Sequence, residues 1–464
     1  MLLRTPETSH TPLILGYYRL KKLVVLGAAE SGVGAAILAR RQGCDVFVSD
    51  MGQIQPRYKS LLDDHAIAWE EGGHTESKIL DADEVVKSPG IPPTAPMIVK
   101  LRERNIPIIS EIEYAARFTD ARMICITGSN GKTTTTSLIY HICRKAGMDV
   151  GLAGNIGHSL ALQVAEAPHQ NYVIELSSFQ LDNMYDFRAH IAVLLNITPD
   201  HLDRYDFKMQ NYVDSKMRIL QNQQAEDTFV YWMGDEYVPT ELARHSHPAA
   251  LCGFSDEEST GCTACVKDGK LVVTTPVAFE MPVAELSLPG KHNLRNSMAA
   301  ALATLAAGID PEVVRAGLSD FPGVEHRLEN AGCGHGIRFV NDSKATNVDA
   351  CFCALESMTT PVVLIVGGKD KGNDYSPLFP LIREKCRALV YLGADNAKLH
   401  DSFDALGLPV ADTHSMADCV SECVRLAKEG DTVLLSPCCA SFDLFHNMED
   451  RGEQFKACAK KWCE

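Results

Sequence analysis

A glycine-rich turn between an apolar strand pattern and an amphipathic helix pattern limits the fold of this chain more than any other feature. The strand pattern covers Met123–Ile126, the turn is Thr127–Thr134, and Leu138 and Ile142 of the next stretch share one helical face. Backbone N–H groups in such a turn close around phosphate oxygens, and the helix N-terminus adds positive potential. The order of strand, turn, Lys-Thr and helix therefore predicts a phosphate loop.

Two residues of this turn have predicted contacts with a bound nucleotide. Lys132 would reach the β- and γ-phosphates, and the Thr133 hydroxyl would hold Mg²⁺. The turn is shorter than G-x-x-x-x-G-K-[ST], because Ile126 stands where the first glycine is expected and Gly128 is the first one present. A purely structural turn is the alternative, but it needs neither the lysine nor so many small residues. We therefore favour nucleotide binding.

Length, charge and cysteine content narrow the class of protein. At 464 residues the chain is long enough for about three domains. The formal net charge of −16 argues against nucleic acid or an anionic membrane surface as the main partner. No apolar run approaches the roughly 20 residues of a membrane span, and the N-terminus lacks the charged-then-apolar order of a signal peptide. Since sixteen cysteines in such a chain are expected to be reduced thiols, we expect a cytoplasmic protein. We also expect a monomer.

The N-terminal stretch has the outline of a nucleotide-binding β-α-β unit. A strand pattern enters the glycine-rich turn Gly27–Gly34, a helix pattern covers Ala35–Gln42, and a second strand, Asp45–Asp50, ends in an acid. An NAD-dependent oxidoreductase would use such a unit, but Ala29 replaces the middle glycine of G-x-G-x-x-G. A unit that holds another nucleotide pyrophosphate explains the pattern equally well.

Strand patterns alternate with helix patterns along the whole chain, which predicts an α/β protein with mostly parallel, helix-covered sheets. We predict three domains: a Rossmann-like domain over residues 1–110, a central P-loop ATPase-like domain over residues 111–323, and a Rossmann-like C-terminal domain over residues 324–464.

Polar residues at strand ends in the central domain are candidates for chemistry. Glu175 ends the strand pattern after the phosphate loop, where acids coordinate Mg²⁺. The stretch Asn196–Tyr205 follows the next strand, and its His201 is either a ligand for metal or phosphate or a structural residue. Lys216 lies in a helix pattern, where an exposed surface lysine is the simpler interpretation.

The last third of the chain carries four further polar motifs. Gly290–Asn296 opens an alanine-rich helix, in which two asparagines share a face and either cap the helix or bind an adenine edge. Asn341–Asn347, Gly367–Lys371 and Ser436–Asp443 each follow a strand pattern. Together they suggest an anion site, although each is also compatible with an ordinary turn.

With these motifs the chain resembles the Mur ligase family, the ATP-dependent amide ligases of peptidoglycan precursor synthesis. The resemblance runs from about Lys22 to the C-terminus and includes the shortened turn at Ile126, Asn196–Tyr205 and Gly290–Asn296. Asp342–Asn347 and Ser436–Asp443 resemble the family members that add D-glutamate. The Asp-Asn-Pro-Arg signature of members that add a diamino acid does not occur in the sequence.

The resemblance implies a mechanism and catalytic residues. The carboxylate of UDP-N-acetylmuramoyl-L-alanine would attack the γ-phosphate of ATP, and the amine of D-glutamate would then attack the resulting acyl phosphate. Lys132 would stabilise the transferring phosphoryl group. Thr133 and Glu175 would hold a first Mg²⁺, and His201 and a carbamylated Lys216 would hold a second.

The resemblance also implies three sets of binding residues. Those for the UDP-linked substrate are Gly27, Glu30, Ser31, Gly32, Asp50, Ser88, Asn155, Ser177 and Gln180. Those for ATP are Gly128, Ser129, Asn130, Gly131, Lys132, Thr133, Thr134, Asn293, Asn296, Arg327 and Asp342. Those for D-glutamate are Thr346, Lys371 and Ser441, with Lys369 as the alternative lysine and Met448 where relatives often have an aromatic residue.

Three other functions stay open at this point. The chain could be a ligase of the same family with a different amino acid, an NAD-dependent oxidoreductase that uses the N-terminal unit, or a non-catalytic protein switched by nucleotide. The oxidoreductase leaves the phosphate loop unexplained, and the switch leaves Glu175, His201 and Lys216 without a role.

Overall fold

A computed structural model describes residues 22–244, 246–370 and 372–463 of the chain. It divides into two compact units, one made of residues up to 280 together with 298–314 and the other of residues 281–297 and those from 315 onward. Three sheets follow one another along the chain. The two units do not correspond one to one with the three sheets. The domain boundaries at residues 110 and 323 therefore stay predictions.

The first sheet is parallel, with strand order β3-β2-β1-β4-β5. Its strands are β1 Lys22–Leu26, β2 Asp45–Asp50, β3 Ala68–Glu71, β4 Glu84–Lys87 and β5 Ile108–Ile109. The helices of this region are α1 Glu30–Arg41, α2 Pro56–Asp64, α3 Glu76–Ile79, α4 Pro96–Glu103 and α5 Glu111–Ala116. β1 is a continuous apolar run because both faces of its sheet are covered.

Helix α1 begins at Glu30, five residues before the predicted Ala35. The glycines that suggested a longer turn belong to the helix, where they allow close packing. A Cβ atom at Gly32 would collide with the carbonyl of Gly27, and one at Gly34 would collide with Ser159, which caps the helix that begins at Leu160. At these two positions glycine is needed because other parts of the chain lie close to the helix, and it does not end the helix.

The second sheet has nine strands in the order β14-β13-β12-β11-β10-β9-β6-β8-β7. They are β6 Arg122–Thr127, β7 Val150–Gly154, β8 Asn171–Glu175, β9 Ile191–Leu194, β10 Thr228–Trp232, β11 Ala250–Phe254, β12 Ala264–Lys267, β13 Lys270–Val273 and β14 Phe279–Pro282. The helices are α6 Lys132–Lys145, α7 Leu160–Glu166, α8 Ser178–Leu181, α9 Met209–Met217, α10 Val238–Arg244 and α11 Lys291–Ala306. β6 pairs in parallel with β8 and β9, so the loops that follow these three strands meet at one edge.

The third sheet has the order β15-β16-β20-β17-β18-β19 and is parallel except for the β15–β16 pair. Its strands are β15 Glu329–Gly334, β16 Ile337–Asn341, β17 Val362–Gly367, β18 Cys386–Leu392, β19 Val410–Thr413 and β20 Thr432–Cys438. The helices are α12 Pro311–Asp320, α13 Val348–Ser357, α14 Phe379–Lys385, α15 Ala397–Phe403, α16 Met416–Leu426 and α17 Met448–Cys463. Two apolar clusters cover this sheet, and β17 is buried along its whole length between them.

Among the helices of the described residues, none has both the length and the apolar character that crossing a bilayer demands.

A buried carboxylate connects helix α5 to the start of α7. Glu111 Oε1 accepts hydrogen bonds from Ser159 Oγ at 2.7 Å and from the Ala161 N–H at 2.6 Å. Burial raises the pKa of Glu111 to about 7, although the hydrogen bonds from Ala161 and Ser159 favour the charged form. The folded state therefore prefers the protonated carboxyl, and this stabilisation is lost as the pH rises from about 4.3, the usual pKa of glutamate, through 7.

We expect Glu111→Gln to remove this pH dependence. From pH 5 to pH 8 the ionisation of Glu111 should lower the unfolding free energy of the native protein by about 2 kcal/mol. The variant should not show this loss, because glutamine cannot ionise. Urea unfolding at the two pH values measures the difference. Glu103→Gln, on an exposed position of α4, is the matched control and should show the same loss as the native protein. An equal effect of pH on native protein and Glu111→Gln would contradict the assignment.

Candidate active site

The glycine-rich turn joins β6 to α6, as the sequence predicted. Gly128 and Gly131 have φ values of +151° and +83°, a region that disfavours other residues. A Cβ atom at Gly128 would also lie 3.1 Å from the Leu195 side chain. The turn is tied to the loop after β9, since the Ser129 N–H donates to the Asn196 carbonyl at 2.9 Å and the Asn130 N–H donates to the Asn196 side chain at 2.8 Å. Two adjacent loops therefore hold each other in place.

Two lysine amines meet at this turn. Lys132 Nζ donates to the carbonyls of Gly128 at 2.8 Å and Ser129 at 2.9 Å, and Lys216 Nζ donates to the same Gly128 carbonyl at 2.9 Å. The Lys216 side chain is buried, so the interpretation as an exposed helix lysine is wrong. Burial and the charge of Lys132 hold the pKa of Lys216 well below its usual value, while nearby carboxylates, Asp200 foremost, oppose the shift.

Glu175 ends β8 as predicted, and it is buried. Its Oε1 accepts a hydrogen bond from Asn155 Nδ2 at 2.7 Å, whereas Oε2 has no hydrogen-bond partner among the described residues. Buried oxygens without partners are costly, and a hard cation would satisfy them. The residues present therefore fit Mg²⁺, which prefers oxygen ligands.

The loop after β9 carries His201 in a left-handed backbone conformation, with φ of +51°. Its ring lies 5.2 Å from the ring of Phe179, and its Nε2 lies 3.7 Å from the Asp200 carboxylate. Arg204, which the sequence analysis did not single out, stacks on Phe179 at 4.3 Å. Its guanidinium also donates to the carbonyl of Ile91 at 3.4 Å, which joins this loop to the turn after β4.

A cavity of about 690 Å³ lies at the carboxyl edge of the first sheet. Three of the residues predicted for the UDP-linked substrate line it: Gly27, Asp50 and Ser88. Glu30 is absent from the wall and instead contacts His158 Nδ1 at 3.3 Å. Ser31 and Gly32 are also absent from the wall. His74 and Met97 line the cavity although the sequence analysis singled out neither, because no local motif marks them.

Two further residues predicted for that substrate build the start of helix α8. Ser177 Oγ accepts the N–H of Gln180 at 3.3 Å, and Gln180 Oε1 accepts the N–H of Ser177 at 2.9 Å. This capping box places both side chains two to five residues after Glu175. The spacing Ser-x-x-Gln in the sequence is the signal from which this capping box could have been predicted.

The predicted ATP residues of the second unit form two local groups. Asn296 Nδ2 donates to Asn293 Oδ1 at 3.2 Å near the start of α11. Asp342 is buried, and it accepts hydrogen bonds from the Leu328 N–H at 3.2 Å and from Ser436 Oγ at 2.9 Å. Burial raises the pKa of Asp342 to about 6, although the charge of Arg327 opposes this shift.

The three loops predicted to hold D-glutamate lie together at the end of the third sheet. The Lys369 N–H donates to the Ala440 carbonyl at 2.8 Å, which joins the loop after β17 to the loop after β20. Arg451 is buried and donates to the carbonyls of Ser343 at 2.8 Å and Cys439 at 3.1 Å, which joins the loop after β16 to the loop after β20. Thr346 and Ser441 lie in these loops. Lys371 lies outside the described residues.

Comparison with known proteins gives a consistent assignment along the chain. Family models match for the MurD N-terminal domain at residues 22–97, the Mur ligase middle domain at residues 126–304, and the Mur ligase, glutamate ligase domain at residues 326–439. A protein of Bacteroides fragilis named UDP-N-acetylmuramoylalanine–D-glutamate ligase is 64% identical over 438 residues, which cover 94% of this chain and 99% of that protein. A protein of the same name from Bacteroides thetaiotaomicron is 62% identical over the same length and covers equal shares.

Solved structures support the fold. UDP-N-acetylmuramate-alanine ligase MurC from Thermotoga maritima has a TM-score of 0.60 at 18% identity, covering 95% of this chain and 99% of that one. A pseudomurein peptide ligase type C from Methanothermus fervidus has a TM-score of 0.60 at 19% identity, with the same coverage.

Proposed function

The chain belongs to the Mur ligase family, and we propose that it is the ATP-dependent ligase that adds D-glutamate to UDP-N-acetylmuramoyl-L-alanine in peptidoglycan precursor synthesis. The observation that carries this proposal is the 64% identity over 94% of the chain to a relative of that name. The three family models, which match residues 22–97, 126–304 and 326–439, favour it over an oxidoreductase or a nucleotide switch. We further propose the Rossmann-like, P-loop and Rossmann-like assignment of the three regions, a cytoplasmic location and a monomeric state.

The proposed reaction has two steps. A carboxylate oxygen of UDP-N-acetylmuramoyl-L-alanine attacks the γ-phosphorus of ATP, the bond to the β,γ-bridging oxygen breaks, and ADP leaves. The D-glutamate amine then attacks the carbonyl carbon of the acyl phosphate, and phosphate leaves with one oxygen that came from the carboxylate. Such chemistry depends on positioning and on neutralising charge more than on a covalent nucleophile.

The residues at the glycine-rich turn fit the first step. The backbone N–H groups of residues 131–134, at the N-terminus of α6, would hold the phosphates of ATP, and the Lys132 amine would neutralise charge on the phosphoryl group as it transfers. Mg²⁺, when bound, would supply further positive charge beside these phosphates. Thr133 and Glu175 would hold a first ion, and this role is supported by the unpartnered buried oxygen of Glu175.

Lys216 is proposed to act as a carbamate. Its neutral amine would form a bond to the carbon of CO₂ and release a proton, which converts a cation into a carboxylate-like group. Its buried position and lowered pKa support this, because only the neutral amine reacts with CO₂. The carbamate and His201 would then hold a second Mg²⁺.

The remaining roles follow the family assignment. Asn293, Asn296, Arg327 and Asp342 would bind ATP, and Thr346, Ser441 and either Lys369 or Lys371 would bind D-glutamate. Gly27, Asp50 and Ser88 on the cavity wall would bind the UDP group of the other substrate. Asn155, Ser177 and Gln180 would orient its lactoyl-alanine end.

Phosphate release from ATP tests the proposed function. The assay contains Mg²⁺, ATP and UDP-N-acetylmuramoyl-L-alanine, and it compares D-glutamate, L-glutamate, L-alanine, L-lysine and diaminopimelate. We expect release above background with D-glutamate only, because the third region resembles the D-glutamate-adding members. Release with another amino acid would keep the ligase chemistry but overturn this specificity, and no release with any of them would contradict the proposed function.

A further inference from the structure

One carboxylate organises the loop after β17, which carries both lysines considered for D-glutamate. Asp370 lies between Lys369 and Lys371 in the sequence. Its Oδ1 accepts the N–H of Gly372 at 2.6 Å and the N–H of Asn373 at 3.3 Å. An aspartate that accepts backbone N–H groups two and three residues later shapes a tight turn. The Asp370 side chain therefore fixes the residues on both sides of position 371, which itself lies outside the described residues.

Two further donors tie this carboxylate to the rest of the third sheet and its helices. The Tyr375 hydroxyl donates to Asp370 Oδ2 at 2.6 Å, and Lys398 Nζ in α15 donates to Oδ1 at 2.7 Å. Tyr375 is buried, and its ring lies 5.1 Å from the ring of Phe403 at the end of the same helix. Because four donors hold the carboxylate in one orientation, the loop after β17 is anchored to a packed core.

The same loop is joined to the loop after β20, which carries Ser441. The Lys369 N–H donates to the Ala440 carbonyl at 2.8 Å, and Asn373 Nδ2 donates to the Cys438 carbonyl at 3.1 Å. These two contacts lie on either side of the Asp370 carboxylate along the chain. A change in the turn that this carboxylate holds would therefore alter how the two loops lie against each other, and both loops carry residues proposed to bind D-glutamate.

The Asp370 carboxylate is unsuited to contact D-glutamate directly. Burial alone would raise its pKa, but the hydrogen bonds from Lys398, Tyr375 and Gly372 hold the pKa below its usual value, so the carboxylate is ionised. A negative charge repels the two carboxylates of glutamate, and the four donors already occupy its oxygens. Its effect on the amino acid must therefore pass through the loop that it holds.

Lys398 neutralises the charge of this carboxylate. Its ammonium pairs with Asp370, whereas Lys369 is exposed and has no ion-pair partner within the described part of the chain. Without Lys398, the carboxylate would attract a lysine of its own loop, which is adjacent in the sequence. The two paired side chains are 25% and 45% exposed, so the ion pair itself adds little stability. Its consequence is that a lysine of the loop keeps its charge for a ligand.

We propose that Asp370 is a positioning residue of the D-glutamate site, and that Lys398 neutralises it so that a lysine of the same loop can bind a carboxylate of the amino acid. The proposal rests on the proposed function, which assigns Lys369 or Lys371 to D-glutamate. Both residues act through the loop after β17, so they affect the binding of D-glutamate and not that of ATP or the UDP-linked substrate.

Steady-state kinetics of the full chain test this proposal, with KM for D-glutamate measured at saturating ATP and UDP-N-acetylmuramoyl-L-alanine. Asp370→Ala removes the acceptor of the turn and both anchors, so KM for D-glutamate should rise about 10-fold. We expect kcat to change less than about 3-fold and KM for ATP to stay at its native value. Asp374→Ala is the matched control, because Asp374 is an exposed aspartate of the same segment whose Oδ1 accepts the Ser376 N–H. It should keep the native KM for D-glutamate.

A double variant separates the effect of charge from that of structure. Lys398→Met leaves the Asp370 carboxylate ionised without its partner, so KM for D-glutamate should rise about 5-fold. Asp370→Asn combined with Lys398→Met removes the charge but keeps an oxygen that accepts the N–H groups of the turn. The double variant should therefore return KM to within about 2-fold of the native value. A purely structural ion pair predicts the opposite order, since the double variant lacks both of its members.

A KM for D-glutamate within about 2-fold of native in Asp370→Ala would overturn the proposal, and so would a double variant with a KM as high as that of Lys398→Met. If Asp370→Ala is unfolded by circular dichroism, the comparison of Lys398→Met with the double variant decides. A native chain that releases no phosphate with D-glutamate would contradict the proposed function and this proposal with it. Native activity without the expected pattern of KM values would contradict the positioning role alone.

Discussion

Replacing Lys132 with methionine is expected to lower kcat for phosphate release about 10³-fold and to change the thermal midpoint little. The amine is a cation at the glycine-rich turn, and removing one such electrostatic contact to a transition state costs about 10²- to 10³-fold in comparable sites. Methionine keeps most of the aliphatic stem, so packing in the first turn of α6 changes little. Steady-state kinetics with saturating ATP measure the effect.

The control for this variant is Lys145→Met at the exposed C-terminal end of the same helix, which should keep at least about half of the native kcat. Thermal unfolding of both variants checks that the turn still folds, because Lys132 Nζ also donates to the carbonyls of Gly128 and Ser129. A folded Lys132→Met protein with a kcat within 10-fold of native would contradict the role given to this amine.

Replacing Lys216 with alanine is expected to lower kcat about 10³-fold, and acetate or propionate at millimolar concentration should restore part of it. The native side chain is buried and reaches the Gly128 carbonyl, so alanine leaves a space beside the glycine-rich turn. If the working group is a carbamate, a small carboxylate in that space supplies the same negative oxygens. The rescue is measured as kcat against carboxylate concentration, with chloride at the same ionic strength as the control.

Lys132→Met provides the matched comparison for the rescue. It lacks a cation, so acetate should not restore its activity. Carbon-13 NMR of the native protein in labelled bicarbonate should show a carbamate signal that is absent from Lys216→Ala. Full activity of Lys216→Ala, or equal effects of acetate on both variants, would contradict the carbamate and leave Lys216 as a buried structural amine.

Local patterns in the sequence predicted the elements around the site well. The strand, turn and helix around Gly128 and Lys132 lie where the sequence places them, and β2 was predicted with the bounds Asp45–Asp50 that the structure shows. Both depend on residues that are neighbours in the chain: an apolar run that is buried on both faces, and glycines in the left-handed region.

Features that depend on distant residues could not be predicted in this way. Lys216 is buried and its amine donates to the Gly128 carbonyl, 88 positions earlier in the chain, whereas the helical pattern alone suggested a surface lysine. The glycine at position 34 of α1 is explained by Ser159, which is distant in the chain and leaves no room for a Cβ atom there. His74 has its orientation from Ser49 on the adjacent strand, and no motif at position 74 reveals it.

The most direct test of the central claim is the transfer of oxygen-18 from the substrate carboxylate to phosphate. UDP-N-acetylmuramoyl-L-alanine labelled in the alanyl carboxylate is incubated with ATP, Mg²⁺ and D-glutamate, and the inorganic phosphate is analysed by mass spectrometry. The proposed mechanism predicts one labelled oxygen in each phosphate released, together with one amide product. Amide formation with unlabelled phosphate would contradict an acyl phosphate, and phosphate release without amide would contradict a D-glutamate ligase.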